Sequence, residues 1–128
     1  MHKLLRSLFV AAGLGLAALA SFAAELPYTK AAFDKALAAG EPVVVDFAAS
    51  WCPTCKAQKP VVQALLAEPQ RKTLTVFVAD FDNEVALKKQ LNVTTQSTLV
   101  AFKAGKEVAR STGQTGKAEL GALLDKAL

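Results

Sequence analysis

The sequence predicts an α/β domain with a central four-stranded mixed sheet flanked by helices. Three observations carry this. First, Val43-Val44-Val45-Asp46-Phe47 is a short, β-branched, apolar run of the kind that forms a strand buried on both faces, and helix-forming composition runs from Lys56 to Ala67 just after it. Second, another apolar run, Leu74–Asp80, follows that helix. Two strands joined by a helical crossover lie parallel. Third, Thr98–Lys103 and Glu107–Thr112 flank Ala104-Gly105-Lys106, a hairpin pattern that adds two antiparallel strands.

The chain has 128 residues, enough for one domain. Residues 1–24 read as a secretory signal. His2, Lys3 and Arg6 make a positive start, and the apolar run Leu8 to Ala20 ends in small residues. Ala18-Leu19-Ala20 and Ser21-Phe22-Ala23 both fit a cleavage site. The alternative is an uncleaved anchor, but the run is shorter than the ~20 apolar residues a span requires. With Lys3 and Arg6 removed, 13 of the 15 basic residues remain against 11 acidic ones, a net charge of +2 in place of +4. That mild excess forms no basic stripe and argues against nucleic acid as a partner. Export places residues 25–128 in a compartment that permits disulfides, and the simple architecture suggests a bacterial periplasm.

Glu25 to Tyr28 forms a short lead-in. Thr29 can cap a helix through Ala39 that buries Phe33, Ala36 and Leu37, with Gly40 as its stop. Pro42 opens the strand Val43–Ala48. Pro60 removes one backbone hydrogen bond from the next helix and should kink it. Asp82 or Asn83 can cap a helix through Leu91. Gly113 breaks the last strand, and Thr115 begins a final helix with Leu120, Leu123 and Leu124 at core spacing. Phe33, Phe47, Phe77, Phe81 and Phe102 are expected in the core.

The chemistry concentrates in Trp51-Cys52-Pro53-Thr54-Cys55-Lys56, which holds both cysteines of the chain at a strand-to-helix junction. A helix N-terminus offers unpaired N–H groups and a positive dipole end, and both favour a thiolate. Cys52, just outside the helix, is expected to be the exposed, acidic sulfur, with Cys55 one turn in and more buried. A zinc site competes with this reading, but zinc takes four ligands and the one histidine is His2. A structural staple also competes, but so short a loop contributes only about 2 kcal/mol in the chain-entropy model. Two inert core thiols would sit oddly among Trp, Pro and Lys. A redox dithiol accounts for the segment best.

Val-Asp-Phe-Ala-Ala-Ser-Trp-Cys-Pro-Thr-Cys-Lys resembles the active-site segment of the thioredoxin superfamily, with Pro60 in the family's order, and the likeness runs from about Pro27 to Leu128. It implies a thioredoxin fold, with the four strands in the order 2-1-3-4, and a thiol–disulfide oxidoreductase. Cys52 would attack a substrate disulfide and Cys55 would resolve the mixed disulfide. Asp46 matches the buried acid that assists proton transfer to the resolving cysteine. Val78 stands where the family carries a lysine beside that acid, and burial without a cation should raise the Asp46 pKa. Trp51, Pro53, Thr54, Gln96 and Ser97 would form the substrate-docking surface.

Ser97 is the main departure, standing where thioredoxins have a cis-proline. A cis bond before a non-proline costs roughly 3–4 kcal/mol, so the Gln96–Ser97 bond is expected trans. Pro53-Thr54 is similar to the thiol reductases of cytochrome c maturation. Asn83 to Val93 resembles the C-terminal domain of the periplasm's transmembrane electron-relay reductase. Both are reducing, and no histidine lies between the cysteines here. The expectation is therefore a monomeric, cofactor-free reductant of protein disulfides, with a membrane electron-relay reductase as donor. The alternative is a binding or chaperone module whose dithiol is incidental or captures metal between molecules. Mass spectrometry of the exported protein should find a mature chain starting between Ser21 and Glu25; Met1 retained in a membrane fraction would favour the anchor.

Overall fold

The computed structural model describes residues 22–128, together with Gly13 and Gly15. The predicted signal segment therefore lies almost wholly outside the described residues. The described elements run β1 (Ala24–Pro27), α1 (Lys30–Ala38), β2 (Val43–Ala48), α2 (Pro53–Leu66), a 3₁₀ turn (Pro69–Arg71), β3 (Thr75–Asp80), α3 (Val85–Leu91), β4 (Thr98–Lys103), β5 (Lys106–Thr112) and α4 (Lys117–Asp125). Among the described residues no helix is long and apolar enough to cross a membrane.

The sheet has five strands, not four, in the order β1-β3-β2-β4-β5. The four expected strands keep their expected order. The addition is β1, formed by the segment read as a lead-in. It pairs parallel to β3, Ala24 opposite Thr75 through Pro27 opposite Val78. Four residues, mostly exposed and ending in proline, carry no strand signature of their own. Their backbone instead occupies the free edge of β3, where a terminal Pro costs no ladder bond.

β2 lies at the centre, parallel to β3 and antiparallel to β4. Its alternation divides the core. Val43, Val45 and Phe47 face α1 and α3, where they pack with Phe33, Phe77, Leu87 and Phe102. Val44 faces the other way, toward Val62, Leu65, Leu99, Leu120 and Leu124. Asp46, two residues after Val44, shares that second face.

The caps are local. Ala32 N donates to Thr29 Oγ1 at 3.2 Å as expected. α3 differs: Asp82 and Asn83 stay outside it, and Glu84 precedes the helix without a side-chain cap. Asp80 takes up the loop instead, accepting from Asp82 N at 3.0 Å and Asn83 Nδ2 at 2.6 Å. Ala104 and Gly105 both have positive φ, 51° and 79°, the signature of a two-residue hairpin turn.

Arg71 is the buried charge of the helical layer. Its guanidinium grips Asp125 with Nε at 2.8 Å and Nη2 at 3.1 Å, and donates from Nη1 to Leu65 O at 3.3 Å and to Glu68. This fastens the turn after α2 to α4. Arg71→Ala removes the bonds to Asp125, Glu68 and Leu65 O, but Leu65 O still accepts from Glu68 N and the half-exposed carboxylates are free to hydrate. Urea denaturation should show a loss of roughly 1–3 kcal/mol, with cysteine reactivity unchanged.

Candidate active site

The site begins where β2 delivers the chain to α2. Cys52 N donates to Ala49 O at 3.2 Å, turning the backbone so that Cys52 becomes the N-cap of α2. Its sulfur occupies the place a serine or aspartate oxygen usually takes: Cys55 N donates to Cys52 Sγ at 3.1 Å. Pro53 at the first helical position has no N–H to leave unpaired. The helix continues through Pro60 to Leu66, giving the cap the dipole of a 14-residue helix.

Ser97 closes the site from the loop before β4. Its Oγ lies 3.1 Å from Cys52 Sγ and 3.1 Å from Cys55 Sγ, so one hydroxyl bridges both free thiols. The described chain contains no cis peptide bond, so Gln96–Ser97 is trans, and Ser97 adopts φ 62°. That left-handed conformation is uncommon outside glycine, asparagine and aspartate.

The expectation of an exposed Cys52 is corrected. Cys52 is 1% exposed and Cys55 7%, both packed with Ala49 against Ala48 and Phe81. By solvent area Cys52 is the more covered sulfur, yet it lies near the protein surface, while Cys55 has more protein around it. Desolvation follows the surrounding protein volume, and Cys55 has more of it. Burial pushes the Cys52 thiol up, but hydrogen bonds from the Cys55 thiol, the Ser97 hydroxyl and the amides of Cys55 and Thr54 outweigh it and leave the pKa lowered. Cys55 moves the other way. Burial raises it, and its bond to Cys52 adds to the rise. The arrangement provides one acidic sulfur and one protonated neighbour.

Asp46 lies beneath this pair, 9% exposed. The register sets it opposite Val78 on β3 and Leu99 on β4, so neither flanking strand offers it a cation. Burial, with a smaller push from Glu25, raises its pKa from 3.8 to about 6. Oδ1 has no hydrogen-bond partner among the described residues. A cavity of about 530 Å³ has Asp46 and Cys55 on its wall, with Lys56 and Lys59 at its rim. No cluster of three metal-ligating side chains occurs among the described residues.

Four of the expected docking residues, Trp51, Pro53, Thr54 and Gln96, surround the sulfurs toward the surface, but the fifth, Ser97, is buried against both sulfurs and presents no docking surface. Trp51 is 55% exposed and anchored by its Nε1 donating to Asp82 Oδ2 at 2.8 Å. Pro53 is exposed, while Thr54 and Gln96 are half-buried. One residue escaped the sequence reading. Gln58 is buried and donates from Nε2 to Ser97 O at 3.2 Å and to Gln114 O at 2.7 Å. The signal was present: Cys55, Gln58, Val62 and Leu65 fall at core spacing on one helix face, and Gln58 is the polar member of that stripe.

Residues 24–126 match the thioredoxin family model. The thioredoxin of Chlamydia trachomatis is 40% identical over 84 residues, covering 66% of this chain and 80% of that protein. The bifunctional thioredoxin reductase/thioredoxin of Mycobacterium leprae is 38% identical over 88 residues, 69% of this chain but 19% of that one. Among solved structures, Trxlp from Edwardsiella tarda superposes with a TM-score of 0.76 at 43% identity, covering 78% of this chain and 97% of that one.

Asp46 yields a pH-dependent prediction. Folded, it ionises near pH 6; unfolded, near pH 4. Between those values the folded state holds the extra proton, so stability falls as pH rises, and the penalty is complete above about pH 6. Asp46→Asn should therefore raise stability by roughly 2–3 kcal/mol at pH 8 and hardly at all at pH 4. Denaturation curves of both proteins across pH provide the measurement, and parallel curves would refute the buried-acid account.

Proposed function

The chain belongs to the thioredoxin family, and we propose that it works as an exported reductant of protein disulfides. The observation that carries this reading is the Cys52 sulfur at the head of α2, accepting from Cys55 N at 3.1 Å and lying 3.1 Å from the Ser97 hydroxyl. A sulfur so placed has its pKa lowered, which favours the thiolate, the form that attacks disulfides.

A substrate disulfide docks over Trp51, Pro53, Thr54 and Gln96. The Cys52 thiolate displaces one substrate sulfur and forms a mixed disulfide. Cys55 then attacks Cys52 Sγ, the bond to the substrate breaks, and the Cys52–Cys55 disulfide forms as the second substrate sulfur leaves. Two electrons pass to the substrate. Cys55 must lose its proton in this step. Asp46, on the wall of the same cavity and ionising near pH 6, is suited to take it and return it later.

The reducing direction is supported by Pro53-Thr54 between the cysteines, where no histidine stands. Export is supported by the positive, apolar, small-residue pattern of residues 1–24 and would place the protein in a periplasm. Electrons must then be resupplied from outside the domain. The Mycobacterium leprae relative joins a thioredoxin to its reductase in one chain; an exported protein would draw instead on a membrane electron-relay reductase.

Insulin reduction with dithiothreitol as donor tests the reading. The wild type should turn over, Cys52→Ser should be inactive, and Cys55→Ser should accumulate mixed disulfides that Cys52→Ser does not. A folded wild-type protein that binds polypeptides without turnover would instead mark a docking or chaperone module.

A further inference from the structure

Gln58 has no part in the exchange just described, yet its placement is costly. An amide buried among Val62, Leu65 and the cysteines loses its hydration, and only well-made hydrogen bonds offset that loss. Its Oε1 has no partner among the described residues, so both of its bonds come from Nε2. One goes to Ser97 O at 3.2 Å and the other to Gln114 O at 2.7 Å. Ser97 O also accepts from Gly113 N at 3.0 Å, and Ser97 N donates to Phe47 O at 2.8 Å. The backbone of Ser97 is therefore held on both sides while it adopts φ 62°, a conformation that costs a non-glycine residue about 1 kcal/mol or more.

The held conformation places Ser97 Oγ 3.1 Å from each sulfur. A hydroxyl has one proton and two lone pairs. It can donate to the sulfur that carries the charge and accept from the sulfur that carries a proton. Its equal distance to the two lets it follow the charge from one to the other. In the disulfide neither sulfur is charged, and this hydrogen bond is much weaker.

We propose that Gln58 is a positioning residue of the redox centre, holding Ser97 in its left-handed conformation so that the Ser97 hydroxyl stabilises the thiolate of the reduced pair and thereby sets the balance between dithiol and disulfide. The proposal rests on the redox reading above. It makes Ser97 a catalytic residue, in contact with both reacting sulfurs, in place of the docking role expected from the sequence. It also explains a buried glutamine and a strained serine by one device.

The test is equilibration with glutathione. Cys52 and then Cys55 displace the two sulfurs of glutathione disulfide, whose S–S bond is replaced by Cys52–Cys55. Two glutathione thiols leave, one with the Cys55 proton and one with a proton from solvent. Ser97→Ala should shift this equilibrium roughly tenfold toward the protein disulfide and make Cys52 titrate about one pH unit higher, followed by thiolate absorbance. Gln58→Met, matched in volume but without donors, should move both quantities the same way. The double variant should go no further than Ser97→Ala, because Gln58 acts through the hydroxyl.

A Gln58→Met protein that loses stability but keeps both quantities overturns the proposal, as do additive effects in the double variant. Should Gln58→Met not fold, Gln58→Asn, which keeps the donors but is one methylene shorter, takes its place under the same criteria. Ser97→Ala with unchanged titration and equilibrium overturns the proposal by itself. A wild-type protein that neither equilibrates with glutathione nor reduces insulin overturns the redox reading along with it; an active wild type with unresponsive variants overturns this proposal alone.

Discussion

The structure depends on a helix that begins on a sulfur. Cys55 N–H is one of the donors every helix leaves unpaired at its start, and here Cys52 Sγ is its acceptor. That requirement fixes where α2 starts, and so the distance between the sulfurs and the orientation of the face that carries Cys55, Gln58, Val62 and Leu65 into the core. It also ties the fold to the chemistry. The contact that caps the helix stabilises the charged form of the capping atom, so the same bond serves packing and reactivity.

The cap is held by its place at the end of β2. A central strand, paired on both sides and covered on both faces, has little freedom to shift register, since a one-residue slip would turn Asp46 and Val44 into the other layer. Its C-terminal end therefore presents Ala49 through Cys52 at a defined position. β4, paired antiparallel to β2, brings its preceding loop to the same end of the sheet, and Ser97 N bonds directly to Phe47 O. The two strands that flank the site thus position the two groups that meet at the sulfurs.

The dithiol has two unlike sides. On one, the Ser97 hydroxyl supplies a hydrogen bond to charge. On the other, Asp46 supplies a carboxyl whose desolvation, with Val78 opposite it, keeps it ready to bind a proton near neutral pH. The Ser97 hydroxyl contacts both sulfurs, and the Asp46 carboxyl lines the same cavity as Cys55. A cis-proline at position 97 would offer no hydroxyl. This chain therefore combines a family scaffold with a polar contact to sulfur that the scaffold does not require.

Much of this was legible in the residues themselves. The run Val43–Phe47, the cysteine pair at a strand-to-helix junction, the Thr29 cap and the Ala104-Gly105 turn each depend on neighbours within a few positions, and local geometry reads directly from local pattern. Asp46 stood out because a carboxylate interrupts an apolar strand. What the tertiary structure decided are pairings across long stretches of chain. The strand β1 exists because β3 has a free edge. Cys52 is covered because Ser97, 45 residues away, closes over it, and Ser97 is held by Gln58, 39 residues from it. Such contacts follow from sheet register and from how α2 lies on the sheet. No short window of sequence contains either, which is why an acidic thiol could be expected from its place at a helix start while its burial, and the hydroxyl shared between the two sulfurs, appear only once the chain has folded.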